Sequence, residues 1–242
     1  MIIHIPHAST FIPPGYRDAF DSEKLTHELA VMTDWYTDEL FSSDAQRVVF
    51  PVSRLVCDPE RFRNDTEEVM STNGMGAVYS HCSDGTPLRV VSEDERETIL
   101  RRFYDPHHAA LERHVEEELK EKGTALILDG HSFYSRPLPY EKDSARPDFC
   151  IGTDEFHTPR KMAEVLIEYF QSLGFEVLEN RPFSGSIVPL RYYRKDPHVH
   201  SIMIEVNRGL YLKNGTECGS RFHEIRSVLS RAIVLLLCRA GS

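Results

Sequence analysis

The residues able to do chemistry fall in four places along the 242-residue chain, each where an apolar segment turns polar. Ile2–Pro6 runs into His7 and Ser9, and residues 47–57 run into Asp58, Arg61 and Arg63. Residues 124–128 run into Asp129, His131 and Ser132, and residues 201–206 carry Glu205 ahead of Asn207 and Arg208. Two imidazoles on separate segments with a carboxylate nearby suit Zn2+, whose catalytic sites take three nitrogen or oxygen ligands and keep one position for water. A glutamate left out of the ligand set can act as general base on that water. Guanidinium groups alongside hold a carboxylate in bidentate fashion. The combined chemistry is metal-dependent hydrolysis of a small anionic substrate.

Those clusters converge only if the segments carrying them are neighbouring strands, because sites in open α/β sheets form beyond the carboxyl ends of the strands. The pattern supplies such strands. Residues 2–6, 47–57, 176–178 and 201–206 read as strands, and the continuous apolar run 124–128 reads as a central strand covered on both faces. Helices are expected at 22–41, where Leu25, Leu29, Met32, Tyr36 and Leu40 recur at three- and four-residue steps, and at 93–120, broken near Asp105-Pro106. Further helices are expected at 159–173 and 217–239. Residues 66–91 and 133–150 read as long excursions, the first as an excursion or lid rather than core, and whether either closes over substrate stays open. Strands alternate with helices, so the fold class is α/β: a single domain over 1–242 with a mostly parallel or mixed central sheet flanked by helices.

Composition narrows the partners. The net charge of -10 disfavours nucleic acid. Within that acidic total stand 21 Arg against 7 Lys, so a local anion site is still available. Five cysteines without a C-x-x-C pair argue against a disulfide framework or a cysteine zinc ribbon. The longest apolar run, Ala232–Cys238, falls well short of the roughly 20 residues that cross a bilayer. No membrane association is expected, and with no secretory pattern at Met1–Pro6 the expected location is cytoplasmic. A serine or cysteine nucleophile is disfavoured: Ser132 follows His131 and Cys57 precedes Asp58, and adjacent strand residues face opposite ways.

His4-Ile5-Pro6-His7-Ala8-Ser9 with Ile12-Pro13, Thr33-Asp34-Trp35, Asp58-Pro59-Glu60-Arg61, Asp129-Gly130-His131-Ser132 and Glu205-Val206-Asn207-Arg208-Gly209-Leu210-Tyr211 stand in this order over nearly the whole chain. In type and order these motifs resemble the N-formylglutamate amidohydrolase family. That family is similar in fold to the zinc carboxypeptidases. The resemblance implies zinc-dependent cleavage of an N-acyl bond on an acidic amino acid such as N-formylglutamate. It implies His7 and His131 as metal ligands and Glu205 as the base. It further implies Arg61 as the holder of the substrate carboxylate, and Arg61 or Arg63 is expected to help polarise the carbonyl. Thr10 stands where the carboxypeptidase ligand glutamate would be, which makes Asp34, read as an acid in mid-helix, the candidate third ligand. The alternative for Asp34 is a surface charge or a partner of His7. Arg63, Arg208 and Ser132 are expected to assist substrate binding, with structural ion pairing as the alternative for the two arginines.

The chain departs from the family pattern at Phe183-Ser184-Gly185-Ser186, where Ser186 replaces a second glycine and Pro189-Leu190 follow. This loop bears on the identity of the acyl group. Two alternatives stay open: a carboxypeptidase-like or other N-acyl-amino-acid hydrolase with a wider pocket, and a non-catalytic module that binds a small acid. The sequence leaves the oligomeric state open.

Overall fold

A computed structural model describes residues 1–240. In chain order the elements are β1 (Ile2–Ile5), α1 (Pro14–Arg17), α2 (Ser22–Met32), α3 (Thr37–Leu40), β2 (Gln46–Val49), α4 (Glu93–Ile99) and α5 (Asp105–Lys122). They continue with β3 (Ala125–Phe133), β4 (Phe149–Gly152), α6 (Arg160–Ser172), β5 (Val177–Glu179), β6 (Val199–Asn207), the small hairpin β7 (Leu212–Lys213) and β8 (Glu217–Cys218), and α7 (Phe222–Ala240). The main sheet has the order β2-β1-β3-β6-β4-β5. β2, β1, β3 and β6 are parallel, while β4 pairs antiparallel with β6 and carries β5 parallel to itself. The expected α/β class with a mixed, mostly parallel sheet therefore stands. No helix of the described residues is long and apolar enough to cross a membrane.

The period-two pleat separates packing from chemistry. On β3, Leu126, Leu128 and Gly130 face one side with Ile3 and Ile5 of β1 and Ile202 and Ile204 of β6, buried under α3, α6 and α7. On the other side Ile127 joins Ile2, Val199 and the α5 residues Leu111 and Val115. Further along that same side the side chains become His4, Asp129, His131 and Glu205. In register, His4 lies beside Asp129 and His131 beside Glu205.

Several expectations are corrected here. The segment read as helix 22–41 is two helices, because Asp34 is drawn out of the helical path: its N–H donates to His7 O at 3.0 Å and Tyr36 adopts φ 61. Asp34 thus stands in a break, not in mid-helix. The strand expected over 47–57 ends at Val49. Pro51 has no N–H to continue the ladder, and Val52, Leu55 and Val56 turn into a second core. β3 runs on to Phe133, so Asp129 and His131 lie within the strand. The long helix does not break at Pro106; Leu100–Tyr104 widen to π-helical turns just before it, and Pro106 falls in the first turn of α5. Residues 66–91 are not a lid: Met75, Ala77, Tyr79 and Leu88 are buried with Phe50 and Leu55, and the Arg89 guanidinium donates to the carbonyls of Tyr79, Leu55 and Val56. The excursion 133–150 ends in an unforeseen strand, β4, and the last helix begins at Phe222 because 217–218 belong to the hairpin.

A Cβ placed on Gly130 would come within 2.8 Å of both Ile5 Cδ1 and Phe41 Cδ2. Gly130→Ala should therefore cost about 1–3 kcal/mol of stability through overpacking, lowering Tm by roughly 2–12 °C in a domain of this size. Calorimetric melting checks this, and an unchanged Tm would contradict such close packing of β3 on β1 and α3.

Candidate functional site

The site is assembled at the carboxyl end of the sheet from one short backbone bond outward. Because Asp34 N–H is held by His7 O, the Asp34 carboxylate enters the space between β1 and β3. Its Oδ2 accepts from His131 Nδ1 at 3.1 Å and from Ser132 N at 3.1 Å, and lies 3.7 Å from His7 Nδ1. One ligand-type atom from each of His7, Asp34 and His131 lies within 4.8 Å of the others, and all three residues are buried. His7 Nδ1 has no hydrogen-bond partner although it is buried. Leaving a buried polar atom unpaired is costly, and two nitrogens with one carboxylate oxygen around such an atom fit a divalent metal ion.

Each imidazole is held from behind by a second carboxylate. His7 Nε2 donates to Asp58 Oδ1 at 2.8 Å, and Asp58 Oδ2 accepts from Arg54 Nη2 at 2.7 Å and Tyr79 OH at 2.8 Å. His131 Nε2 donates to Asp129 Oδ1 at 3.1 Å, with Glu60 Oε2 also at 3.1 Å. Such outer carboxylates fix which ring nitrogen is turned to the metal. On this geometry the inward nitrogen is Nδ1 in both rings.

The electrostatics follow from burial set against these partners. Burial opposes the charge on Asp34, yet the hydrogen bond from His131, the nearby His7 ring and the charge of Arg208 hold its carboxyl well below the usual range. Burial likewise opposes the charge on Asp58, which Arg54, His7 and Arg61 keep ionised. For His131 burial opposes protonation, but Glu60 and Asp129 outweigh it and raise the imidazole well above its ordinary value. Glu205, beside His131 on the next strand, is pushed up to about 8 by burial, against the pull of His131. Its Oε2 is buried and unpartnered.

A cavity of about 530 Å³ opens over these groups and is lined by His7, Asp34, His131, Glu205, Arg54 and Arg61, with Phe183 and Tyr140 farther out. The chain matches the sequence model of a family described as N-formylglutamate amidohydrolase over residues 1–212. The chain belongs to the N-formylglutamate amidohydrolase family. It is similar to an N-formylglutamate deformylase of Pseudomonas putida, 26% identical over 226 residues, 88% of this chain and 82% of that protein. Among solved structures it is similar to an N-formylglutamate amidohydrolase of Ralstonia eutropha, with a TM-score of 0.79 at 22% identity over 98% of this chain and 91% of that one. It also resembles a gene product of Agrobacterium tumefaciens, with a TM-score of 0.67 at 19% identity over the same shares of the two chains. At these identities the two structures speak for the fold. Membership of the N-formylglutamate amidohydrolase family makes the chain a hydrolase of linear amide C–N bonds.

Of the residues singled out in the sequence, the structure brings His7, Asp34, His131, Glu205 and Arg61 to one cavity. Arg61 Nε is buried without a partner, 3.9 Å from Asp58 Oδ2. Arg63 is a correction: it turns away to Glu97 and Asp105, with bonds of 2.9–3.1 Å, and lines no part of the cavity. Arg208 and Ser132, expected to assist substrate binding, both stand in the wall of that cavity and are bonded there to the Asp34 frame as well. Arg208, though at the cavity wall, donates to Asp34 Oδ1 at 2.9 Å, to Ser132 Oγ at 3.1 Å and O at 3.0 Å, and to Val31 O. Ser132 is the other half of that lattice. Both therefore hold Asp34 in place. Sequence reasoning missed the parts played by Arg54, Tyr79, Glu60, Asp129 and His4. The signal available for His4 and Asp129 was a polar residue inside an otherwise apolar strand.

The raised His131 sets a pH dependence. Metal must displace the Nδ1 proton that the metal-free imidazolium donates to Asp34, so uptake at neutral pH should release at least this proton. Metal affinity should rise with pH throughout the range below the raised value of His131 and level off above it. Calorimetric titration in buffers of differing ionisation enthalpy measures the released proton; an affinity flat from pH 6 to 8 would contradict this assignment.

Proposed function

We propose that the chain hydrolyses the amide bond of an N-formylated acidic amino acid, N-formylglutamate in the first instance, with Zn2+ held by His7 Nδ1, Asp34 Oδ2 and His131 Nδ1. The observation that carries this reading is the three-residue cage with an orphaned imidazole nitrogen and a buried glutamate on the adjoining strand. When bound, zinc polarises the acyl oxygen, lowers the pKa of water and, as a neighbouring positive charge, favours the ionised form of Glu205.

The chain's own residues account for the rest. Glu205 Oε2 takes a proton from the attacking water and returns it to the leaving nitrogen, so one group serves both halves of the reaction. Burial suits Glu205 to this exchange, because a carboxyl whose pKa is drawn towards neutrality both accepts and returns a proton readily. Arg61, which lines the cavity, receives the substrate carboxylate, and Arg54 keeps Asp58 charged behind it. The residues involved come from β1, β3, β6 and the 33–36 and 54–61 turns, which supports one domain over 1–242.

A second reading, a hydrolase of bulkier N-acyl groups, is favoured by an adjoining cavity of about 320 Å³ whose wall includes Phe62, Tyr104, Val188 and Leu190. A panel of N-formyl, N-acetyl and peptidyl glutamates decides between them: kcat/KM should be highest for the formyl compound, and preference for a longer acyl group would favour the second reading. Glu205→Gln should bind zinc as the parent does while losing about 100- to 10,000-fold in kcat, the usual worth of a positioned acid–base group. Loss of zinc from that variant would make Glu205 a ligand instead. Exhaustive chelation should abolish activity and zinc should restore it; activity unchanged after complete chelation would sink the metal reading.

A further inference from the structure

Behind the cage lies a run of buried groups that the proposed reaction does not use. Asp129 Oδ1, which accepts from His131 Nε2 at 3.1 Å, also accepts from His4 Nδ1 at 2.8 Å. His4 Nε2 in turn meets His107 Nε2 at 2.8 Å. His4, Asp129 and His107 are all buried, and the His107 ring packs edge-on against Phe50. The run follows from the fold: His4 and Asp129 are register partners on β1 and β3, His131 is one pleat further along, and α5 covers that face with His107.

One atom each of His4, Glu60 and Asp129 also fall within 4.8 Å of one another, which invites a second metal. Hydrogen bonding speaks against it. Both His4 nitrogens are engaged at 2.8 Å and none of the three residues has an orphaned buried atom, unlike His7 in the cage. An ionised carboxylate only accepts, so His4 Nδ1 must carry a proton towards Asp129 whichever of His4 and His107 supplies the proton between them. The Asp129 carboxylate then has three donors, from His4, His131 and, at 3.2 Å, Ile187 N. They leave it one orientation, the one in which His131 keeps Nε2–H outward and Nδ1 inward.

We propose that His4 and His107 are positioning residues of the metal centre, acting through Asp129 to fix the ring orientation and tautomer of His131. The proposal rests on the metal reading above. His107, on α5, makes a helix remote in sequence part of the centre, and burial with neighbouring imidazoles pushes its own pKa down to about 2, so it serves as a neutral partner.

The test compares zinc affinity, by competition with a chromophoric chelator, in the full-length protein and in His4→Leu, His4→Asn, His107→Leu and His107→Gln, alongside the Tm of each in its metal-free form. His4→Leu should weaken zinc binding about 10- to 100-fold, as loss of an outer partner of a metal histidine does. His4→Asn, whose amide N–H replaces Nδ1–H, should recover most of that loss even where its metal-free Tm is no better than that of His4→Leu. His107→Leu should weaken binding in the same direction, and His107→Gln should recover it. Parent-like affinity in a folded His4→Leu, or His4→Asn as weak as His4→Leu, overturns the proposal. Should His4→Leu fail to fold, the His107 pair decides by the same criterion. A parent protein that binds no zinc overturns the metal reading, and with it this proposal; a zinc-binding parent with unaffected variants overturns this proposal alone.

Discussion

The Asp34 carboxylate is where four separate stretches of the chain meet. Its own backbone N–H is tied to the end of β1 at His7, one oxygen takes His131 Nδ1 and Ser132 N from β3, and the other takes Arg208 from the turn after β6. Buried charge is tolerated only with partners of this kind. The requirement to supply them explains features that otherwise look unrelated: the break between α2 and α3, the left-handed Tyr36, and an arginine that donates to Val31 O and Ser132 O as well as to Asp34. Thr37 secures the break by donating both N–H and Oγ1 to Asp34 O. A helix continuing through 33–36 would have saved its own hydrogen bonds and left the site without its carboxylate.

The same logic extends outward in pairs. Each inward imidazole nitrogen is backed by an acid on the opposite side of the ring, Asp58 for His7 and Asp129 for His131, and each acid is itself held by buried donors. On one side these are Arg54 and Tyr79, and on the other His4 backed by His107. The left-hand pair draws on the packed 50–90 region and the right-hand pair on α5. Rigidity at the site is thus inherited from two apolar clusters packed behind it.

Sequence patterning reached the α/β class, the principal strands and the convergence of His7, His131 and Glu205, because all of these follow from strand periodicity and from polar residues closing apolar runs. It failed where a tertiary partner overrides local preference. Leu25 to Leu40 keep helical spacing across a break whose cause, the bond to His7, is distant in the chain. Asp129 reads as a strand terminus because a charged residue inside a buried strand is unfavourable unless imidazoles are waiting on the neighbouring strand. Arg61 and Arg63 look equivalent as a sequence pair, yet only one faces the cavity; Glu97 and Asp105, on helices much later in the chain, claim the other. Residues 66–91 look poor in core residues because a few wholly buried ones, Met75 and Tyr79 among them, do the packing.

Charge makes the case for a single dication in the cage. Among the described residues, five acids crowd the centre, Asp34, Asp58, Glu60, Asp129 and Glu205, against the guanidiniums of Arg54, Arg61 and Arg208. With all of them ionised the excess is two negative charges, five less three. In the metal-free protein that excess is relieved by protons: His131 is favoured as imidazolium and Glu205 as the neutral acid. A divalent ion between His7, Asp34 and His131 would make both protons unnecessary, leaving the His131 Nδ1 lone pair free and Glu205 charged. The two groups that would lose protons in the proposed hydrolysis are the two whose protons such an ion would make unnecessary. A second dication at His4, Glu60 and Asp129 would carry the centre to an excess of positive charge and break the hydrogen bonds that orient His131, so the same count that calls for one ion argues against two.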